Sequence, residues 1–189
     1  MNRKTIIPLL GAPCSGKSTA GKASGFQYFS SGDLLRERAA DTDNMADHIR
    51  KLNRLGLYLE DDAMMELFSQ KLRCYDSEIL LSDGVPRTLL QVRSLDVLAE
   101  RKEYSIPFAI SFDCPRDILE RRYSLRASQG SRADDALPYD RRFSQFSRFT
   151  LPVVDFYEEQ GRLRTIDASQ NAVEVLSQLE EVLKDLDTF

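Results

Sequence analysis

The eight residues Gly11-Ala-Pro-Cys-Ser-Gly16-Lys17-Ser18 constrain this chain more than any others. A glycine, four free positions, then Gly-Lys-Ser is the phosphate-cradling loop pattern. Its setting is also the one in which that chemistry works: an apolar run, Thr5–Leu10, before it and a helix-forming stretch, Ser15–Ser24, after it. Glycines let backbone N–H groups curl around phosphate oxygens without steric conflict. Lys17 can reach the β- and γ-phosphates, and Ser18 or Thr19 can face a magnesium ion. Cys14, Ser15 and Gly16 complete the candidate triphosphate contacts, Cys14 most simply as a small residue fitting the turn.

The rest of the chain alternates short apolar runs with amphipathic stretches, the pattern of a parallel sheet with crossover helices. Strands are expected at Thr5–Leu10, Gln27–Phe29, Glu78–Ser82, Phe108–Phe112 and Leu163–Ile166, giving a five-stranded α/β fold. Asp33 is expected to cap one helix running from Leu34 to about Leu55, ended by Gly56, and Asp61 to cap the next. The last helix, Ala172–Leu186, carries a stripe of Val173, Leu176, Leu179, Leu183 and Leu186. Pro8 conflicts with a central strand, because it lacks the N–H that a ladder requires.

At 189 residues, the chain fits a single domain with small inserts. Its 26 basic and 30 acidic residues leave a net charge of −4, which disfavours a nucleic-acid partner. Arginines crowd residues 116–148, a stretch with no lysine, which suggests planar anion recognition. Three scattered cysteines without a C-x-x-C pair argue against disulfides and structural zinc. With no signal-like or membrane-length apolar run, a cytoplasmic protein is expected, and a monomer because one core accounts for the apolar residues.

Further motifs occur in order: Ser30-Ser31-Gly32-Asp33-Leu34-Leu35-Arg36 after the second strand, and Asp83-Gly84-Val85-Pro86-Arg87-Thr88-Leu89-Leu90-Gln91 after the third. Asp113-Cys-Pro, Arg132-Ala-Asp134-Asp135, Pro152-Val-Val-Asp155-Phe-Tyr157 and Ile166-Asp167-Ala-Ser169 follow. With these the chain resembles the adenylate kinase family of nucleoside monophosphate kinases, from Ile6 to the final helix. The resemblance implies magnesium-dependent phosphoryl transfer from ATP to AMP. It divides the domain into a core (1–30, 61–122, 136–189), an acceptor-binding insert (31–60) and a short lid (123–135).

In such a family Arg36 and Arg87 would clamp the acceptor's α-phosphate, a bidentate task suited to guanidinium. Ser31 and Gln91 would lie at the acceptor base, with Leu57, Tyr58, Leu59, Gly84, Val85 and Pro86 lining the same pocket. Asp83 would hold magnesium-bound water, although alone it could merely cap the turn at Pro86. Arg122, Arg126 and Gln170 would serve the donor nucleotide, and Arg132 would close over the transferring phosphate with Asp134 and Asp135 fixing the lid. Arg142 best matches the last phosphate-contacting arginine, with Arg141 as competitor.

The resemblance also shows departures. Many members carry Gly, Thr and Phe where this chain has Ser18, Ser31 and Val85. A pyrimidine acceptor (CMP or UMP) stays open, although glutamine at 91 favours adenine. A nucleotide-binding regulator without transfer activity is a third reading. Since the nucleophile is an already anionic phosphate oxygen, no general base is required, and positioning with charge neutralisation would carry the rate.

Overall fold

The computed structural model describes residues 4–101, 103–129 and 138–188. A parallel sheet runs through its centre in the order β2-β3-β1-β5-β6. The strands are β1 (Lys4–Leu10), β2 (Gln27–Ser30), β3 (Ile79–Asp83), β5 (Ala109–Asp113) and β6 (Leu163–Asp167). All five expected strands are present. A sixth, the two-residue β4 (Tyr104–Ser105), pairs with β1 ahead of β5 and is too short to be legible as a run.

Pro8 is tolerated because of strand parity. The Thr5 N–H donates to Glu78 on the β3 side, so by alternation the nitrogen of Pro8 faces the opposite edge of β1. There β4 pairs only up to Thr5 and β5 only from Leu9, so Pro8 falls in a gap where no ladder bond is lost.

Both faces of the sheet are covered, as continuous apolar strands require. On one face Ile6, Leu10 and Phe29 pack with Phe68, Val92, Val153 and Tyr157. These come from α4 (Asp61–Leu72), α5 (Leu89–Glu100) and α8 (Leu151–Glu159). On the other face Ile7, Leu9 and Ile110 meet Ala20 of α1 (Lys17–Ala23) and Val175, Leu179 and Leu183 of α9 (Ala172–Lys184). The α9 stripe is therefore Val175-Leu179-Leu183, whereas Val173 sits in the first turn and is 78% exposed.

The single helix expected over 34–55 is two. α2 (Ser31–Arg38) is capped by Ser30, whose Oγ accepts the Asp33 N–H, and α3 (Asn44–Leu55) by Asp43, which accepts the Ala46 N–H at 2.9 Å. Asp41-Thr-Asp43-Asn44 favours caps and turns over helix interior, and Arg50 ties this break by donating to the carbonyls of Ala39 and Asp41. Asp33 is thus an acidic residue in the first turn of α2, and Gly56 ends α3 as expected. α6 (Arg116–Ser128) carries Arg122 and Arg126, extending the helix into the expected lid. After residue 137, α7 (Tyr139–Gln145) and a π-helical turn (Phe146–Thr150) lead without interruption into α8.

Candidate active site

The carboxyl ends of β1, β2 and β3 open onto a cavity of about 970 Å³, where open α/β sheets bind ligands. One side of it is the loop after β1. Gly11 has φ +142° and lies so close to β5 that a Cβ would meet the Phe112 carbonyl oxygen at 2.8 Å. Only glycine lets the chain turn there. Cys14 also takes a left-handed backbone, φ 69°. A third apolar cluster braces the loop from outside: Ala12 packs with Leu119, Tyr123 and Tyr139, and the Tyr139 hydroxyl donates to the Pro13 carbonyl at 3.3 Å.

Lys17 folds back onto this loop, donating to the carbonyls of Gly11 (2.7 Å) and Ala12 (3.0 Å) and to Ser15 Oγ (3.1 Å). Burial pushes its ammonium below the usual lysine range, opposed by nearby Asp83 and reinforced by Arg87. Cys14, Ser15, Gly16, Ser18 and Thr19 line the cavity beside it. The donor oxygens of Ser18 and Asp83 share this space, which suits a hard cation that retains water and bridges phosphates. The residues present therefore fit magnesium. Among the described residues no group of three or more His, Cys, Asp and Glu could hold a metal.

Asp83, at the end of β3, accepts a 2.6 Å hydrogen bond from the Tyr28 hydroxyl of β2. Burial and the adjacent carboxylate both push the Tyr28 phenol upward, so it stays a donor at all ordinary pH. The ring lies against Gly21 of α1, leaving no room for a Cβ there. Tyr28 is a site residue that sequence reasoning missed, because nothing in its local run marks it.

Arginines form the far wall. Arg36 is ion-paired with Asp33, which Lys22 also reaches at 2.9 Å. Despite a burial penalty, these two cations hold the Asp33 carboxyl below its usual range. The Arg87 guanidinium stacks 4.6 Å from the Tyr58 ring, the Tyr58 hydroxyl lies 3.3 Å from Thr150 Oγ1, and Thr150 donates to the Arg87 carbonyl at 3.1 Å. The buried Thr150 is a second residue that the sequence did not single out. Its π-helical turn is the available signal, visible only in three dimensions. Arg126 and Arg142 line the cavity and Arg141 does not, so Arg142 is the better placed of the two competitors. Arg122 lines it as well, but its guanidinium donates to the carbonyls of Ala168, Ser169 and Gln170 at 2.7–3.2 Å. It shapes the loop that brings Gln170 to the cavity. Arg132, Asp134 and Asp135 lie outside the described residues.

Leu57, Gly84 and Pro86 line the large cavity. Ser31, Leu59 and Gln91 line instead a small adjoining cavity of about 10 Å³, shared with Tyr58, Gly84 and Arg87. Ser31 Oγ is buried there without a hydrogen-bond partner, against Gly84, where no Cβ would fit. Val85 differs from expectation: it is fully buried in the core, lines neither cavity and offers only its carbonyl, which accepts from Ser82. Asp61 also differs. It begins α4 without a cap bond and accepts hydrogen bonds from Thr88 and Gln91, both at 2.8 Å.

A phosphate loop and a second wall of arginines face each other across one cavity. A sequence model of the adenylate kinase family matches residues 9–162. The chain belongs to that family. UMP-CMP kinase 1 of Oryza sativa subsp. japonica is 31% identical over 96% of this chain and 75% of its own length. An adenylate kinase of Thermus thermophilus is 30% identical over 94% of this chain and 96% of its own. That of Cyanothece sp. is 28% identical over 94% of each. Membership in the adenylate kinase family makes the chain a phosphotransferase acting on nucleoside monophosphates, and no helix among the described residues is long and apolar enough to cross a membrane.

Proposed function

We propose that this family member is an adenylate kinase, catalysing ATP + AMP = 2 ADP with magnesium. The observation that carries the choice of base is the small pocket where the Gln91 amide and the unpartnered Ser31 hydroxyl lie together next to Arg87. An amide offers a donor and an acceptor, which matches the amino group beside a bare ring nitrogen on adenine, an order that cytosine shares and uracil reverses; the length of glutamine at 91 is what favours adenine over cytosine.

In this reading Lys17 swings from the loop carbonyls onto the donor's β- and γ-phosphates, a move favoured because the anion restores what burial withholds from the ammonium. Arg36 and Arg87 hold the acceptor's α-phosphate, and Arg126, Arg132 and Arg142 gather charge around the transferring group. Arg122 acts through the 168–170 loop rather than on a phosphate. Magnesium bound with the triphosphate would draw charge from the phosphate oxygens. Ser18 would hold it directly, with Asp83 holding its water. Closure of residues 31–60 would exclude water that could otherwise hydrolyse ATP.

A pyrimidine monophosphate acceptor is the second reading, favoured by the likeness to the rice UMP-CMP kinase. A coupled assay with ATP-Mg and AMP, CMP or UMP in parallel separates them. Turnover fastest with AMP is expected, and faster turnover with CMP or UMP would move the assignment.

A further inference from the structure

We propose that Asp61 is a specificity-determining positioning residue. Through the Gln91 amide it fixes the order of acceptor and donor offered to the incoming base. A base with an amino group beside a bare ring nitrogen is taken, and its oxo/N–H counterpart is refused. The inference rests on the proposed acceptor pocket but concerns a residue outside it.

The Gln91 side chain is 1% exposed at the start of α5. Its Oε1 accepts the Arg87 backbone N–H at 2.7 Å, and its Nε2 donates to Asp61 Oδ1 at 2.8 Å. The two ends of an amide are alike in shape, but these partners are not alike in chemistry. A backbone N–H can only donate, and a carboxylate can only accept. Rotating the amide by half a turn would set NH₂ against N–H and carbonyl against carboxylate, two mismatches in a buried site. The orientation is therefore dictated by the partners rather than chosen between equivalents.

Asp61 is itself anchored. Thr88 Oγ1 donates to the same Oδ1 at 2.8 Å and accepts the Gln91 N–H at 3.2 Å, closing a ring of Asp61, Thr88 and Gln91. Every member of this ring lies on α4, α5 or the turn after β3. The opposite wall of the pocket, Ser31, Leu35, Tyr58 and Leu59, belongs to the insert. At about 10 Å³ the pocket holds roughly one water, so a base enters only when that wall moves. The ring need not move with it.

Each end of the amide keeps capacity for one more bond, a second lone pair on Oε1 and a second hydrogen on Nε2. A 6-aminopurine donates its amino group to Oε1 and accepts from Nε2 at N1. A 6-oxopurine presents N1–H and O6, the same positions with the roles exchanged. AMP and IMP thus differ in hydrogen-bond order with almost no change of shape.

The test measures kcat/KM for AMP and IMP with ATP-Mg, and the affinity of each monophosphate by calorimetry, in the parent and in Asp61→Asn. The parent should prefer AMP by at least ~100-fold, since a site built for one hydrogen-bond order rejects the other strongly. In Asp61→Asn, whose side chain can donate as well as accept, that preference should shrink by about tenfold or more. Equal use of AMP and IMP by the parent overturns the proposal without any variant, and so is independent of whether Asp61→Asn folds. An equal loss with both acceptors in Asp61→Asn, the ratio unmoved, also overturns it, because a purely structural aspartate would behave that way. No transfer to AMP, CMP or UMP would instead defeat the proposed function, and calorimetry would still read the AMP/IMP preference.

Discussion

The proposed donor and acceptor sides of the cavity are built by different means. On the donor side the phosphate loop is one contiguous run, residues 11–19, whose lysine is held by its own loop. The acceptor side is assembled from segments around residues 31–36, 57–59, 84–91 and 142–150, tied by contacts such as Arg87 on Tyr58 and Tyr58 to Thr150. Phosphate recognition by a loop needs only local backbone geometry. Placing a second nucleotide in line with the first needs side chains brought from distant parts of the chain.

The largest effects should come from cutting each side at its cation. Lys17→Met and Arg87→Ala should each lower turnover by at least ~100-fold while the fold persists. Calorimetry should tell them apart: Lys17→Met weakens ATP, and Arg87→Ala weakens the monophosphate and leaves ATP within about threefold. Loss of both affinities in either variant would erase the distinction between the two sides.

Tyr58→Leu probes the tertiary character of the acceptor side more gently. A partly desolvated cation–π contact contributes about 1–2 kcal/mol, so the KM for the monophosphate should rise roughly tenfold with the KM for ATP unchanged. Smaller again is Tyr28→Phe, which deletes the 2.6 Å bond to Asp83 together with the hydroxyl's bond to Ser30 and keeps the ring. A net loss of about 1 kcal/mol is expected in stability, and a several-fold rise in the magnesium concentration needed for half-maximal rate.

The smallest effect is a pH dependence. Because the folded-state pKa of Lys17 lies below 10.5, the unfolded chain binds more protons between the two values. The stability contribution of this group therefore rises with pH across that window. The parent should gain in Tm relative to Lys17→Met as pH increases towards 10.5, by a few degrees, since 1 kcal/mol corresponds to about 2–4 °C at this size. A parent Tm that falls relative to that of Lys17→Met as pH rises would contradict the burial of the ammonium.

The five strands, the phosphate loop and the Gly56 helix stop are legible because each depends on residues close together in sequence. The α2–α3 break is not, since the apolar pattern of 34–55 continues across Asp41–Asn44, and capping by Ser30 and Asp43 outweighs it. The α9 stripe is shifted because periodicity alone does not say which turn meets the sheet; Val175 does and Val173 does not.

Sequence alone determined that a loop of the phosphate-cradling pattern sits at the end of a parallel strand, that arginines crowd residues 116–148, and that Gln91 follows the third strand at a fixed spacing. Tertiary structure decided what those residues face. It turned Asp61 from an expected helix cap into the partner of Gln91, set Tyr28 on Asp83, anchored Arg122 to the 168–170 carbonyls and gave Pro8 an unpaired edge. The reason is physical. A motif records the local backbone a ligand needs, whereas the direction of a buried hydrogen bond depends on whichever donor or acceptor the rest of the chain brings within about 3 Å.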